Sequence, residues 1–343
     1  MNLSTKIAIG TLSVFIAAAV SIGAAIAAPA SSPGITGMAR PTGIAVDPAG
    51  KIYVANSSGN TVTVYAADSN GSVPPLATIG GPHTGLSAPN GVALDSLWNV
   101  YVANMPSPAN RGGSIAVYSP GVSGDAAPFA TIAGPNTELA NPQGVALDSS
   151  GNIYVANAIG GPSGAGSITV YSAHSNGDAA PIATIAGPRT RLNLPGGIAF
   201  DSAGNIYVAN TGARAPERGS ITVYRAAANG NVAPIATIFG PNTGLHSPEG
   251  IAADSSGKIY VANFNVNSVT AYAAGASGDA APIATIVGAS TGLAEPTGIA
   301  LDSAGDIYVT NQGRLPSAGP YTVTVYSSGA TGDTAPIATI GGD

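Results

Sequence analysis

Three sets of side chains in this sequence are of types and spacings that could do chemistry. The first occupies the x of a recurring Pro-x-Gly: Thr42, Asn90, Gln143, Gly196, Glu249 and Thr297. Only Glu249 among them can ionise. It stands three copies from Asn90, so in a closed ring of copies the two face each other across the centre. Calcium takes six to eight oxygens, several of them carboxylate, and one Glu is a poor start, so the expectation is no metal and no cofactor, with a divalent cation as the alternative. The second set is arginine: Arg40, Arg111, Arg189, Arg191, Arg214, Arg218 and Arg314. The guanidinium fork suits carboxylate or sulfate. Arg111, Arg189, Arg191, Arg214, Arg218 and Arg314 are therefore the expected ligand-binding residues. The third set is a repeated Asp: Asp47, Asp95, Asp148, Asp201, Asp254 and Asp302. Each opens a turn, where Asp side chains accept backbone N–H bonds.

Other chemistry is absent from the pattern. His83, His174 and His246 are scattered, and zinc needs three or four converging ligands. Ser172 and Ser175 flank His174, but sequence neighbours rarely give triad geometry. There is no cysteine, which removes disulfides, thiol nucleophiles and thiolate metal sites. No catalytic residue is expected.

The elements that must position these residues come from a repeat. Pro-x-Gly-[Ile/Val]-Ala starts at Pro41, Pro89, Pro142, Pro195, Pro248 and Pro296. Each copy then runs through a turn, an Ile-Tyr-Val-Ala-Asn run, a loop, a Ser-Ile-Thr-Val-Tyr run, and Ala-Pro-Ile-Ala-Thr-Ile with a Gly-Pro-Asn-Thr-Gly-Leu connector. Short runs rich in Ile, Val, Tyr and Thr, bounded by Gly, Pro, Asn and Asp, are strands. Four strands per repeat of this length are the signature of propeller blades. The spacing predicts an all-β, six-bladed β-propeller of four antiparallel strands per blade. Its blades are residues 41–88, 89–141, 142–194, 195–247, 248–295 and 296–343. A linear β-solenoid is disfavoured, because its rungs are shorter and its ends need distinct caps. The sixth copy carries its own fourth strand, and Thr36-Gly37-Met38 matches the connector, so the ring should close without strand exchange.

Composition agrees with this reading. The chain has 343 residues, 47 Gly and 27 Pro, with 45% hydrophobic and 8% charged residues. Excess turn residues with a normal apolar fraction mark many short strands, and disorder would need low hydrophobicity. A net charge of −6 disfavours nucleic acid as partner. Strand direction puts the second-to-third-strand loops and the connectors on one face, the top, with the arginines. It puts Asp68, Asp125, Asp178, Asp279, Asp306 and Asp333 with the six repeated Asp on the bottom, opposed by Lys51 and Lys258. The long top loops are 105–113, 158–166, 211–219 and 312–320. Variable loops on a rigid scaffold are where binding usually resides.

Residues 1–27 read as a signal peptide: Lys6, an apolar run over 7–22, and Ala25-Ile26-Ala27 as a cleavage signal. Residues 28–40 form a short lead-in. The chain is expected to be secreted or periplasmic, with no membrane span after cleavage. An uncleaved N-terminal anchor is the alternative.

The run Pro-x-Gly-Ile-Ala-x-Asp, Gly-x-Ile-Tyr-Val-Ala-Asn, Ile-x-Val-Tyr resembles the NHL repeat. The resemblance covers all six copies and implies a six-bladed propeller, related to gluconolactonase-like and TolB-like groups. It implies fold more than function. Family members include sensor domains, RNA-binding domains, adhesion modules and a metal-dependent lyase. The basic residues of RNA-binding members and the His cluster that would hold zinc in the lyase are missing here. Lactonase-like propellers hold a divalent ion on the channel rim with a carboxylate and Asn set, and Glu249 with Asn90 looks like a depleted version. Nearly uniform blades lack the broken symmetry an active site needs. The expectation is an exported, non-enzymatic binding or scaffold propeller, monomeric, whose partner is a protein, a glycan or a small anionic ligand. A metal-dependent lactonase-like or lyase-like enzyme is the alternative.

Overall fold

The computed structural model describes residues 36–107, 111–212, 219–313 and 321–341. The segment read as a signal peptide lies outside the described residues, as does the lead-in before Thr36. Six sheets follow one another, each of four antiparallel strands from a single repeat, in simple sequential order. In the first blade the strands are Pro41–Val46, Ile52–Asn56, Thr61–Tyr65 and Ala77–Gly80. Every strand of the last blade, to Ala338–Gly341, comes from its own repeat. The ring therefore closes without strand exchange.

The Pro-x-Gly motif is explained by the inner strands. Pro cannot donate to the ladder, and the register shifts between Pro41 and Ile44, as it does in the other blades. The Gly is where two blades meet. A methyl group on Gly43 would strike the carbonyl oxygen of Asn90. The same contact runs from Gly91 to Gln143, Gly144 to Gly196, Gly197 to Glu249, Gly250 to Thr297 and Gly298 back to Thr42. This cycle of six contacts is the ring itself, and it leaves the six x positions at the channel mouth.

The core lies between blades, in six clusters. Each pairs the second- and third-strand side chains of one blade with those of the next. The sixth joins Tyr308, Val323 and Ile340 of the last blade to Met38, Ile52 and Val54 of the first. All five residues of each second strand are buried, because each face of the sheet is covered by a neighbour. Each buried Ile or Val contributes about 1.5–3 kcal/mol relative to exposure. This is why the strands read as continuous apolar runs instead of alternating.

Two expectations are corrected. The fourth strand is shorter than the apolar run suggests: in the third blade it covers Ala183–Ala186. Pro181 has no N–H for a ladder, and Ile182 projects into solvent with 58% of its surface exposed. The second correction concerns the turn between third and fourth strands. It does not stay at the bottom. It climbs beside the fourth strand of the preceding blade, making parallel bridges such as Ile79 with Gly124 and Ile132 with Gly177. This covers an edge that would otherwise offer unpaired backbone groups. Asp125, Asp178, Asp279 and Asp333 are thereby carried away from the bottom face.

Candidate functional site

The repeated polar residues are structural. Asp148 Oδ1 accepts the N–H groups of Ser150 at 2.8 Å and Asn152 at 2.9 Å, and its five equivalents hold their own turns the same way. Burial alone would raise the Asp201 carboxyl. Hydrogen bonds from Asn205, Ala203 and Tyr207 outweigh it and hold the group below its ordinary value. The Asn ending each second strand is wholly buried. Asn157 donates to Thr169 Oγ1 at 3.0 Å and accepts from the Ala140 N–H at 3.0 Å, fixing the connector. The third-strand Tyr seals each blade to that connector: Tyr118 donates to the Thr84 carbonyl at 2.5 Å and Tyr65 to the Thr36 carbonyl at 2.6 Å. Thr36 thus takes the connector's place, as its match to the connector sequence implies. Burial raises Tyr224, Tyr272 and Tyr326 to about 12.

The Asp residues that left the bottom cap the top connectors. Asp178 Oδ1 accepts the Asn136 N–H at 2.7 Å and Oδ2 accepts Asn136 Nδ2 at 2.8 Å. Asp279 holds Asn242 likewise, and Asp333 holds Ser290. Asp125 accepts the His83 N–H and lies 2.6 Å from His83 Nδ1. That pair is exposed and is the single ion pair among the described residues. The hydrogen bond from the His83 side chain holds Asp125 below its ordinary value. The sharp division into a basic top and an acidic bottom is therefore overturned for these four carboxylates.

Of the six arginines expected to bind ligand, Arg111, Arg189 and Arg191 are described and exposed on the top face. The Arg189 backbone N–H donates to Asn231 Oδ1 at 2.8 Å. Arg191 has φ of 59°. Arg214, Arg218 and Arg314 lie outside the described residues, as does part of each loop at 105–113, 211–219 and 312–320. The loop at 158–166 is described throughout and folds over Ala140 and Ala186. Trp98 sits at φ 64° in a bottom turn, 40% exposed beside Leu97.

The rim residues share one place, the mouth of the channel, and most of them bond to protein. Asn90 Nδ2 donates to Gln143 Oε1 at 2.5 Å. Thr42 Oγ1 donates to the Pro89 carbonyl at 2.9 Å and Thr297 Oγ1 to the Pro41 carbonyl at 3.2 Å. Glu249 has no hydrogen bond among the described residues. It keeps some accessible surface, yet protein atoms surround it densely. Burial pushes its carboxyl up to about 7, against a smaller opposing pull from Arg40. The channel-mouth donor set does not fit calcium. It offers one carboxylate, and the facing amides are bonded to each other. Among the described residues no three His, Cys, Asp or Glu side chains gather.

One residue here was not among the expected site residues. Thr310 stands where the other blades have Ala, and its hydroxyl donates to the Thr42 carbonyl at 2.7 Å, bolting the last blade to the first. The Ala-to-Thr departure in the last copy was the available clue.

This fold and rim define a six-bladed β-propeller, and the solved structures it resembles share that fold. The NHL repeat model matches residues 38–65 and 245–272. Among solved structures, the PQQ-bound aldose sugar dehydrogenase of Streptomyces coelicolor superposes with a TM-score of 0.60. It is 17% identical, over 87% of this chain and 98% of that one. The Xanthomonas campestris gluconolactonase gives 0.55 at 15% identity, covering 80% and 84%. Virginiamycin B lyase from Staphylococcus aureus gives 0.53 at 16% identity, covering 85% of each. Identities this low establish the fold alone. No curated protein matches the chain. No helix among the described residues is long and apolar enough to cross a membrane.

Proposed function

We propose that this chain is an exported, non-enzymatic binding propeller that holds an anionic partner on its top face. Protein, glycan and small-molecule anions are the classes that Arg111, Arg189, Arg191, Arg214, Arg218 and Arg314 would recognise through their guanidinium forks. The observation that carries the reading is the state of the channel mouth. Its amides and hydroxyls give their donors to one another and to backbone, so no donor there is free to hold an anion. Variation is instead concentrated in the loops after the second strands. These are four residues long in the first and fifth blades, nine in the second to fourth, and ten in the sixth.

The test is binding of the mature chain to an array of sulfated and carboxylated glycans, comparing wild type with Arg111→Glu, Arg189→Glu and Arg191→Glu combined. Each guanidinium contact to an anion is a charged hydrogen bond of about 1.5–3 kcal/mol. The triple variant should therefore lose binding by at least about tenfold. Undiminished binding by the variant would remove the arginines from the site. A second reading has one specific observation in its favour, the ionisable Glu249 facing Asn90 across the channel. The gluconolactonase and lyase among the structural neighbours suggest hydrolytic or lyase chemistry there. It predicts a rise in melting temperature with a divalent ion together with lactone turnover, since a ligand bound only to the folded state stabilises it.

A further inference from the structure

Donors and acceptors at the channel mouth do not balance. Every rim side chain able to donate has its donor engaged. Asn90 gives its amide to Gln143, and Gln143 gives Nε2–H to Asn141 Oδ1 at 3.1 Å. Thr42 and Thr297 give their hydroxyls to backbone carbonyls. Thr211, above the fourth blade, points its hydroxyl at the Pro248 carbonyl, 3.4 Å away. Acceptors are what remain: the two carboxylate oxygens of Glu249 and Oδ1 of Asn90, none of which takes a hydrogen bond from a described residue. Arg40 is the charged group that acts on Glu249. Its Nε–H goes to Gln312 Oε1 at 3.1 Å, and it forms no ion pair with the carboxylate.

One rim position also lacks a side chain. The rim residue of the fourth blade is Gly196, and Glu249 Oε2 leans over it. A Cβ at Gly196 would stand 3.0 Å from the Glu249 carbonyl oxygen, 3.6 Å from Oε2 and 3.7 Å from Thr211 Oγ1. The missing side chain leaves a notch the size of one heavy atom, walled by oxygen. A site with free acceptors and engaged donors selects a ligand that brings N–H donors and positive charge. One carboxylate is too few for calcium, whereas an ammonium is matched by a single carboxylate and neutral oxygens.

We propose that the notch between the fourth and fifth blades binds a small ligand through a primary ammonium group, held by the Glu249 carboxylate over Gly196. Asn90 Oδ1, across the channel, is the acceptor for a second donor on the same ligand. This site is independent of the arginine loops, so its failure would leave the anionic-partner reading standing, and the reverse.

The experiment is a binding titration, by melting temperature and by NMR, at about pH 8, where the carboxylate is ionised. The probes are methylammonium, 1,4-diaminobutane, tetramethylammonium and calcium. Methylammonium and the diamine should bind wild type, the diamine more tightly. Glu249→Gln should weaken both by about tenfold or more, the share of a charged hydrogen bond. Gly196→Ser, which fills the notch and offers Oε2 a hydroxyl, should weaken them as well, and serves if the Gln variant does not fold. Tetramethylammonium has no N–H and should not bind. Equal binding of tetramethylammonium, unchanged binding in both variants, or no binding of either amine would overturn the proposal. So would a calcium effect that Glu249→Gln abolishes, which would make the notch a metal site.

Discussion

A carboxyl held at about 7 by burial makes the stability of the fold depend on pH. The folded state keeps the Glu249 proton more tightly than the unfolded chain does. Its favourable share is complete below the ordinary value of 4.5, and is lost as pH rises through about 7. Glu249→Gln should therefore flatten the decline in unfolding free energy between about pH 5 and pH 8. The difference is at most about 3 kcal/mol, and less to the extent that channel water reaches the carboxylate. Denaturant unfolding of both proteins across that range measures it, and parallel curves would show that the carboxyl titrates normally. Asp201 and Asp254 act in the opposite sense. Burial opposes their charge, hydrogen bonds win, and both are held low. Their contribution is present above the ordinary Asp value and is lost as pH falls through the lowered one. The turn Asp residues were legible in the sequence, because an Asp ending a strand before a Gly-containing turn has local N–H groups to bind. Glu249 was legible as the one ionisable rim residue. Its unpartnered state was not, because it depends on where three other blades spend their donors.

At the scale of the element, the sequence exposed three strands of each blade plainly and obscured the segment after the third. Tyr-Val-Ala-Asn and Thr-Val-Tyr runs are buried on both faces, so composition alone marks them. The climbing turn is different. Its Gly and Asp look like any surface turn, and only pairing with a neighbouring blade makes them a staple. A signal did exist within the repeats. The Asp falls 42 residues after the connector residue it caps in the pairs Asn136 with Asp178 and His83 with Asp125. Where the copy is shorter, in Asn242 with Asp279, the separation is 37. The fourth blade replaces the Asp by Asn231, which still holds the Arg189 N–H. That substitution makes a prediction. Asp178→Ala leaves the Asn136 N–H and amide without this partner and should cost about 1 kcal/mol, in the range of a lost helix cap. Asp178→Asn should cost little, because Asn231 does the same task one blade later. Thermal unfolding of the two variants decides it. Equal loss in both would mean that the charge matters and the geometry does not.

The whole molecule is a ring in which five junctions are crossed by the chain and one is not. That open junction, between last and first blades, is built from the same parts as the others. Gly71 bridges Ile340 as Gly124 bridges Ile79, and the Gly71 N–H bonds the Thr339 carbonyl at 2.7 Å. Thr297 bonds the Pro41 carbonyl as Thr42 bonds that of Pro89. The junction differs in two ways. Ser72 stands where the other blades have Asp or Asn, and among the described residues its hydroxyl makes one 3.5 Å contact, with the Gly341 carbonyl. Against that, the Thr310 hydroxyl bonds the Thr42 carbonyl. No other blade pair makes this bond, because Ala occupies the place of Thr310 elsewhere. A circular permutant tests what this junction is worth. At a crossed junction the chain takes five steps from Ile286 to Thr291, whose carbonyl accepts the next Tyr. Joining Asp343 through one added residue to Thr36, with 1–35 removed, reproduces that spacing. Opening the connector between the third and fourth blades instead exposes a junction that has no threonine bolt. The permutant should fold to the same ring and be less stable by about 1–2 kcal/mol, the net worth of one or two buried hydrogen bonds. Denaturant midpoints with unchanged slope would measure this. A permutant more stable than the parent would show that the closing junction is the weak point of the ring, and that the threonines compensate only partly for the chain break.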